Sequence, residues 1–216
     1  MAANARLHQL SERPPAYLNF LAHLLLADDS AASRIGNLLG DFARGPIEQH
    51  CASFPKEVVR GIQMHRFIDG FTDSHPAFLR CRRMIHPERR RFAGIMVDLF
   101  WDHFLSIHWK DYHASPLETF CQQIYSEMED HPEWLAGRLG KMFPIMKREN
   151  WLMRYSTLEG MALTLEEVSH RSPRIRPIAK GMEDLTSNYE ALDSQFQVFM
   201  PELLAFVHRW KINNPA

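Results

Sequence analysis

From Tyr17 onward, apolar residues recur mainly at three- and four-residue intervals, and sustained alternation of apolar and polar positions is missing. The first pattern lines one face of a helix and the second one face of a strand, so the chain reads as all-α. The spacing predicts helices over roughly 17–28, 31–43, 56–72, 76–85, 88–111, 116–130, 133–142, 147–155, 157–171, 175–192 and 195–210. Ser115-Pro116-Leu117-Glu118 offers a cap, a proline at the first helical position and a glutamate returning to the cap. Pro55, Pro87 and Pro132 each precede a charged and apolar run in the manner of a helix start, and Ser172-Pro173 with Pro177 breaks the C-terminal half. Residues 1–16 read as a poorly ordered polar extension and 17–212 as one compact multi-helix domain, since no repeat, low-complexity tract or long linker divides the rest.

Composition narrows the class. At 216 residues, 45% apolar and 24% charged, the chain can bury one sizeable core. A net charge of −1 gives no global field of the kind that collects nucleic acid. The longest apolar stretch, 18–27, is interrupted by Asn19 and His23 and is too short to span a bilayer, and no secretory signal opens the chain. Cys51, Cys81 and Cys121 are odd in number and widely spaced, which suggests neither a zinc ribbon nor a disulfide framework and fits a reducing compartment. A cytoplasmic protein with no membrane or nucleic-acid partner is expected.

The 12 histidines matter more. His65 and Asp69 are four apart and share a helix face, with Asp73 continuing the stripe. Asp98 and Asp102 form a second such pair among Met96, Val97, Leu99, Phe100, Trp101, Phe104 and Leu105, and His103 lies about 100° round from Asp102. His23 in NFLAHLLLA and Asp41 in NLLGDFARG sit in equally apolar surroundings. An unpaired charge there is costly, so these groups need a cation or a counter-charge. Imidazoles and carboxylates converging from several helices are what a hydrolytic divalent-metal site requires. The alternative is structural: core histidines bonded to backbone, and aspartates paired with Arg44, Arg60 or Arg66. Spacing alone leaves both open. His75, His86 and His131, beside prolines, read as solvated or capping residues, and His108 and His113 as exposed ones.

Residues 80–91, RCRRMIHPERRR, hold six arginines opposed only by Glu88, and a second basic run covers 170–181. Such a patch on a near-neutral protein is either a docking surface for an acidic partner or a solvated corner.

The blocks NFLAHLLLA, GNLLGDFARG, GIQMHRFID followed by TD, and VDLFWDHFLSIHW resemble the acyl carrier protein phosphodiesterase family, and WLMRYSTLEGMA, HRSPRIRPIAKG and LDSQFQVFMPEL continue the likeness more weakly. The resemblance implies an all-helical fold related to the HD-domain phosphohydrolases. It also implies manganese-dependent hydrolysis (Fe2+ or Mg2+ as alternatives) of holo acyl carrier protein to the apo protein and 4′-phosphopantetheine. On that reading Asp41, His65 and Asp98 are the first choices as metal ligands, joined by Asp69 and His23. His103 is the proton donor to the leaving serine, with Asp102 orienting it. Arg44 and Arg66 bind the phosphate, and Arg80, Arg82, Arg83, Arg89, Arg90 and Arg91 dock the acidic carrier. The chain departs from the HD pattern in having no adjacent His-Asp; Asp102-His103 runs in reverse. Two further readings remain: an HD-like phosphohydrolase acting on a small nucleotide, and a helical carrier-protein-binding module without catalysis.

Overall fold

A computed structural model describes residues 20–135 and 137–215. The 1–16 extension, and the start of the helix expected from residue 17, lie outside the described residues. In chain order the helices are α1 (Phe20–Leu26), α2 (Ala31–Leu39), α3 (Lys56–Ser74), α4 (Pro76–Met84), α5 (Ala93–Ile107), α6 (Leu117–Asp130), α7 (Gly137–Arg148), α8 (Trp151–Arg154), α9 (Leu158–Ser169), α10 (Gly181–Ser187) and α11 (Tyr189–Asn213). Short 3-10 turns join several of them, the longest being Pro173–Lys180. No strand occurs among the described residues, so the all-α expectation holds. None of their helices is long and apolar enough to cross a membrane.

α5 is apolar nearly all round and lies at the centre, touching α1, α4, α9 and α11. Phe78 of α4, Phe100 and Phe104 of α5, and Phe196 of α11 are fully buried around it, each contributing about 2–3 kcal/mol of burial. α2 and α3 pack more tightly than any other pair because glycines meet at their crossing. A Cβ on Gly36 would lie 2.3 Å from the Val58 carbonyl oxygen, and one on Gly61 would lie 2.6 Å from that of Ser33. This approach carries the end of α2, and Asp41 just beyond it, against the middle of α3.

Local chemistry explains where the elements depart from the periodic pattern. α2 stops at Leu39 rather than 43. α5 begins at Ala93, not 88, since Arg90–Phe92 form a 3-10 turn. Just before that turn the buried Arg89 donates through Nε to Asp184 at 2.6 Å and through a terminal nitrogen to Glu183 at 3.1 Å. One long helix over 175–192 is not formed: Asn188 ends α10 by donating its side-chain amide to the Asp184 carbonyl at 3.0 Å, and α11 then runs unbroken through 193–194. α6 starts at Leu117 with Pro116 in the cap position and no side-chain cap bond, so the box predicted at Ser115 is not formed. His75 does cap α4, accepting from the Ala77 N–H at 3.2 Å.

Candidate metal centre

Three of the chemistry-bearing residues come together at once. His23 from α1 and His65 from α3 stack with ring centroids 3.9 Å apart and planes tilted by 22°. Both face Asp69, one turn beyond His65: His23 Nε2 lies 3.2 Å from Oδ1 and His65 Nε2 lies 3.1 Å from Oδ2. One donor atom from each of the three falls within 4.8 Å of the others. His65 holds this position because residue 40 is glycine; a Cβ there would overlap the imidazole, at 2.1 Å from its Cγ.

Buried carboxylates surround the trio. Asp41 Oδ1 is 3.7 Å from His65 Nε2. Asp98, on α5, is buried and makes no hydrogen bond among the described residues, and Asp69 repels its charge as it repels that of Asp41. Burial, reinforced by these neighbouring acids, pushes both Asp41 and Asp98 well above the usual carboxylate range. Asp69 is the reverse case: burial opposes its charge, but contact with the two imidazoles outweighs burial and holds it well below that range. Burial and the neighbouring His65 lower His23 to about 4 against the pull of Asp69. Despite the short separations, the ring nitrogens of His23, Nδ1 of His65 and Oδ2 of Asp41 are buried without a hydrogen-bond partner. Neutral imidazoles with unused lone pairs beside ionisable oxygens are the donor set of a hard or borderline divalent ion, and no thiolate intrudes.

Asp102 and His103 are committed to other partners. Asp102 is fully buried and accepts the N–H groups of Leu21 and Ala22 at 2.8 and 2.9 Å. It therefore anchors the start of α1, the helix that presents His23. Burial raises it to about 7 against those two donors. His103 bonds through Nδ1 to the Tyr155 carbonyl at 2.6 Å and through Nε2 to the Tyr189 hydroxyl at 3.0 Å. A carbonyl only accepts, so the proton sits on Nδ1 and Nε2 receives the tyrosine O–H. Both nitrogens are engaged in tying α5 to its neighbours rather than turned to the cluster, so the structure does not support the expected proton-donor role. His108, expected to be exposed, is half-buried and pairs with Asp193 at 2.8 Å.

The arginines divide as well. Arg66 donates to the Ala43 carbonyl at 2.6 Å, bracing the turn that holds Asp41, and Arg60 pairs with Asp28. Neither supplies a counter-charge to the buried acids. Arg82 is half-buried beside Asp73 and Asp98, whose charges it favours. Arg80, Arg83, Arg90 and Arg91 are exposed, whereas Arg89 is only 4% exposed and is consumed by Asp184 and Glu183, so it offers no free face to a partner. Arg171, just past α9, favours the charge of Asp41. Sequence reasoning placed it only within the basic run 170–181, since nothing in that local pattern points to Asp41.

Residues 18–203 match the family model described as acyl carrier protein phosphodiesterase. A relative bearing that name in Photorhabdus laumondii is 35% identical over 188 residues, covering 87% of this chain and 93% of the relative. One in Escherichia coli is 38% identical over 197 residues, covering 89% and 98% respectively. No solved structure matches. With a family match over most of its length and relatives aligned nearly end to end, the chain belongs to the acyl carrier protein phosphodiesterase family.

Proposed function

We propose that this protein hydrolyses holo acyl carrier protein, cleaving the phosphodiester between the carrier serine and 4′-phosphopantetheine. The reading assigns a divalent cation, Mn2+ ahead of Fe2+ or Mg2+, to His23, His65 and Asp69, with Asp41 and Asp98 completing the site. The observation that carries it is the convergence of three donors within 4.8 Å beside two buried carboxylates, Asp41 and Asp98, that form no ion pair with an arginine or lysine among the described residues. When bound, such an ion polarises a phosphoryl oxygen and supplies a water acidic enough to attack near neutral pH.

The remaining work falls to the chain. The Asp102 anchor on α1 and the Gly40 cradle under His65 hold both imidazoles in place before substrate arrives. The burial of His23, His65, Asp41 and Asp98 excludes bulk water and strengthens every charge interaction inside. Asp69 alone of the trio is substantially open, its side chain 40% exposed, so the phosphodiester approaches from that side. Arg66, by bracing Ala43, positions Asp41. Arg80, Arg83, Arg90 and Arg91, with half-buried Arg82 leading inward to Asp98, form the docking face for the acidic carrier. Free thiols at Cys51, Cys81 and Cys121 fit a cytoplasmic setting.

The test follows the carrier by mass. Manganese-loaded protein is expected to convert holo to apo carrier, to stop on chelation and to resume when the ion is restored. His65→Ala and Asp69→Asn are expected to lose stoichiometric manganese and more than ~100-fold of turnover, beyond what loss of an outer-shell partner costs. Full turnover in His65→Ala, or hydrolysis of nucleotides in preference to holo carrier, overturns the reading.

A further inference from the structure

His23 and His65 face one carboxylate, but not along one line. Their rings are stacked, with centroids 3.9 Å apart and planes tilted by only 22°. An imidazole holds a metal ion about 2 Å away, along the lone pair that lies in the plane of its ring. Planes so nearly parallel stay apart over that short reach, so no single point sits well on both rings. The shared carboxylate is divided in the same way. Asp69 turns Oδ1 to His23 Nε2 at 3.2 Å and Oδ2 to His65 Nε2 at 3.1 Å. A nitrogen and an oxygen that are neighbouring ligands of one octahedral ion stand about 3 Å apart. Each imidazole forms such an edge with its own oxygen.

A hydrogen-bonded His–Asp–His trio does not account for this. His23 Nε2 is buried 3.2 Å from Oδ1 yet has no hydrogen-bond partner among the described residues, so its in-plane axis misses that oxygen. The outer acids separate as well. Among the described imidazoles Asp41 pairs with His65, its Oδ1 lying 3.7 Å from Nε2. Asp98 goes with His23 instead. It stands one turn before Asp102 on the same face of α5. Asp102 in turn accepts the N–H groups of Leu21 and Ala22, so that face lies against α1, the helix that carries His23.

The geometry points to two divalent ions at this centre, with Asp69 as the carboxylate that bridges them. His65, Asp69 Oδ2 and Asp41 hold one; His23, Asp69 Oδ1 and Asp98 hold the other. This deepens the function proposed above and rests on it for the phosphodiester that the pair would face. Paired ions, when bound, stabilise the attacking and the leaving oxygen of a phosphodiester together. The leaving serine oxygen is the place for which His103 was expected, and His103 is tied to Tyr155 and Tyr189.

The test counts the ions and reads their coupling. The full chain, stripped with chelator, is titrated with manganese and followed by equilibrium dialysis and low-temperature electron paramagnetic resonance. Two ions per chain are expected, with the broadened spectrum of an exchange-coupled pair in place of the hyperfine sextet of isolated Mn2+. Asp41→Asn and Asp98→Asn are each expected to keep one ion, halving the manganese bound, and to restore the sextet. Asp69→Asn loses the coupled spectrum whatever manganese it retains. Melting curves in chelator check that the variants fold, and the wild-type count and spectrum decide the matter where one does not. One ion per chain at saturation overturns the proposal and leaves the function above standing. Two ions with uncoupled sextets, unmoved by Asp69→Asn, put the second ion elsewhere and overturn it too. A coupled pair in a protein that leaves holo carrier intact keeps the bridge and refutes the substrate. No bound manganese at all overturns both.

Discussion

Asp184 on α10 and Asp98 on α5 are buried to similar depth, 4% and 8% exposed, and differ in everything around them. Asp184 accepts from Arg89 Nε at 2.6 Å and from the His86 N–H at 2.7 Å, so both its oxygens are engaged. Asp98 makes no hydrogen bond among the described residues and is surrounded by Asp69, Asp73 and Asp102, with Arg82 the opposing charge. Burial alone therefore says nothing about role. One corner closes its electrostatics within the chain and locks the 85–92 segment to α10. The other leaves them unbalanced, in a place where two stacked imidazoles supply further donors. On the function proposed above, a cation supplies the balance that the chain leaves open there.

The sharpest way to break this contrast is to neutralise each acid in turn and compare stability in chelator. Asp184→Asn strands the Arg89 guanidinium and is expected to cost about 3 kcal/mol, the lower end for severing a buried pair. Asp98→Asn and Asp41→Asn replace acids whose charged form burial and neighbouring carboxylates disfavour, and are expected to leave the metal-free protein level or about 1 kcal/mol more stable, while weakening manganese binding. Urea denaturation of the three variants reads both signs. If Asp98→Asn destabilises as much as Asp184→Asn, the cluster is a structural network and the contrast fails.

A smaller effect separates the two corners by pH. Asp41, Asp98 and Asp102 have raised folded values, Asp102 to about 7. Their contribution to stability is complete below the ordinary value of 3.8 and is lost as pH rises through the folded values. His23, lowered to about 4, contributes in the opposite sense: its share is present above 6.5 and lost as pH falls through about 4. Across neutrality the raised acids dominate, Asp102 among them, so the metal-free protein is expected to lose stability as pH rises through about 7. On the proposed reading manganese displaces the protons of Asp41 and Asp98, so its stabilising increment is expected to grow from pH 6 to pH 8 by about 1 kcal/mol per unit for each proton released. Melting curves with and without the ion, at the two pH values, measure it. An increment independent of pH means that the ion binds elsewhere.

How much of this was legible beforehand depended on whether the deciding partner lay at helical spacing. His65 and Asp69 share a face of one helix, and an apolar context flagged His23, Asp41 and Asp98, so those positions could be singled out without coordinates. Asp102 and His103 carry the same signal but meet backbone: the N–H groups of α1 and the carbonyl of Tyr155. Side-chain periodicity is blind to backbone partners. Within the run of arginines nothing distinguished Arg89, since its acids lie more than ninety residues away in sequence.

The smallest expected effect concerns the exposed side of the arginine corner. Arg91 donates to the Arg174 carbonyl at 2.8 Å and Arg90 to the Arg83 carbonyl at 3.4 Å, so the two basic runs, distant in sequence, form one surface. Rim charges of this kind steer encounter more than they hold the complex, and salt screens them. Reversing Arg83 and Arg90 to glutamate is therefore expected to raise the KM for holo carrier about tenfold at low salt, with kcat and melting temperature nearly unchanged. Wild type and variant should converge as ionic strength rises. Arg89→Glu should instead unfold the corner, since its charge is already balanced by Asp184. If the surface variant keeps wild-type KM across the salt series, the carrier docks on another face, and the arginines outside the Asp184 pair are a solvated edge of the bundle.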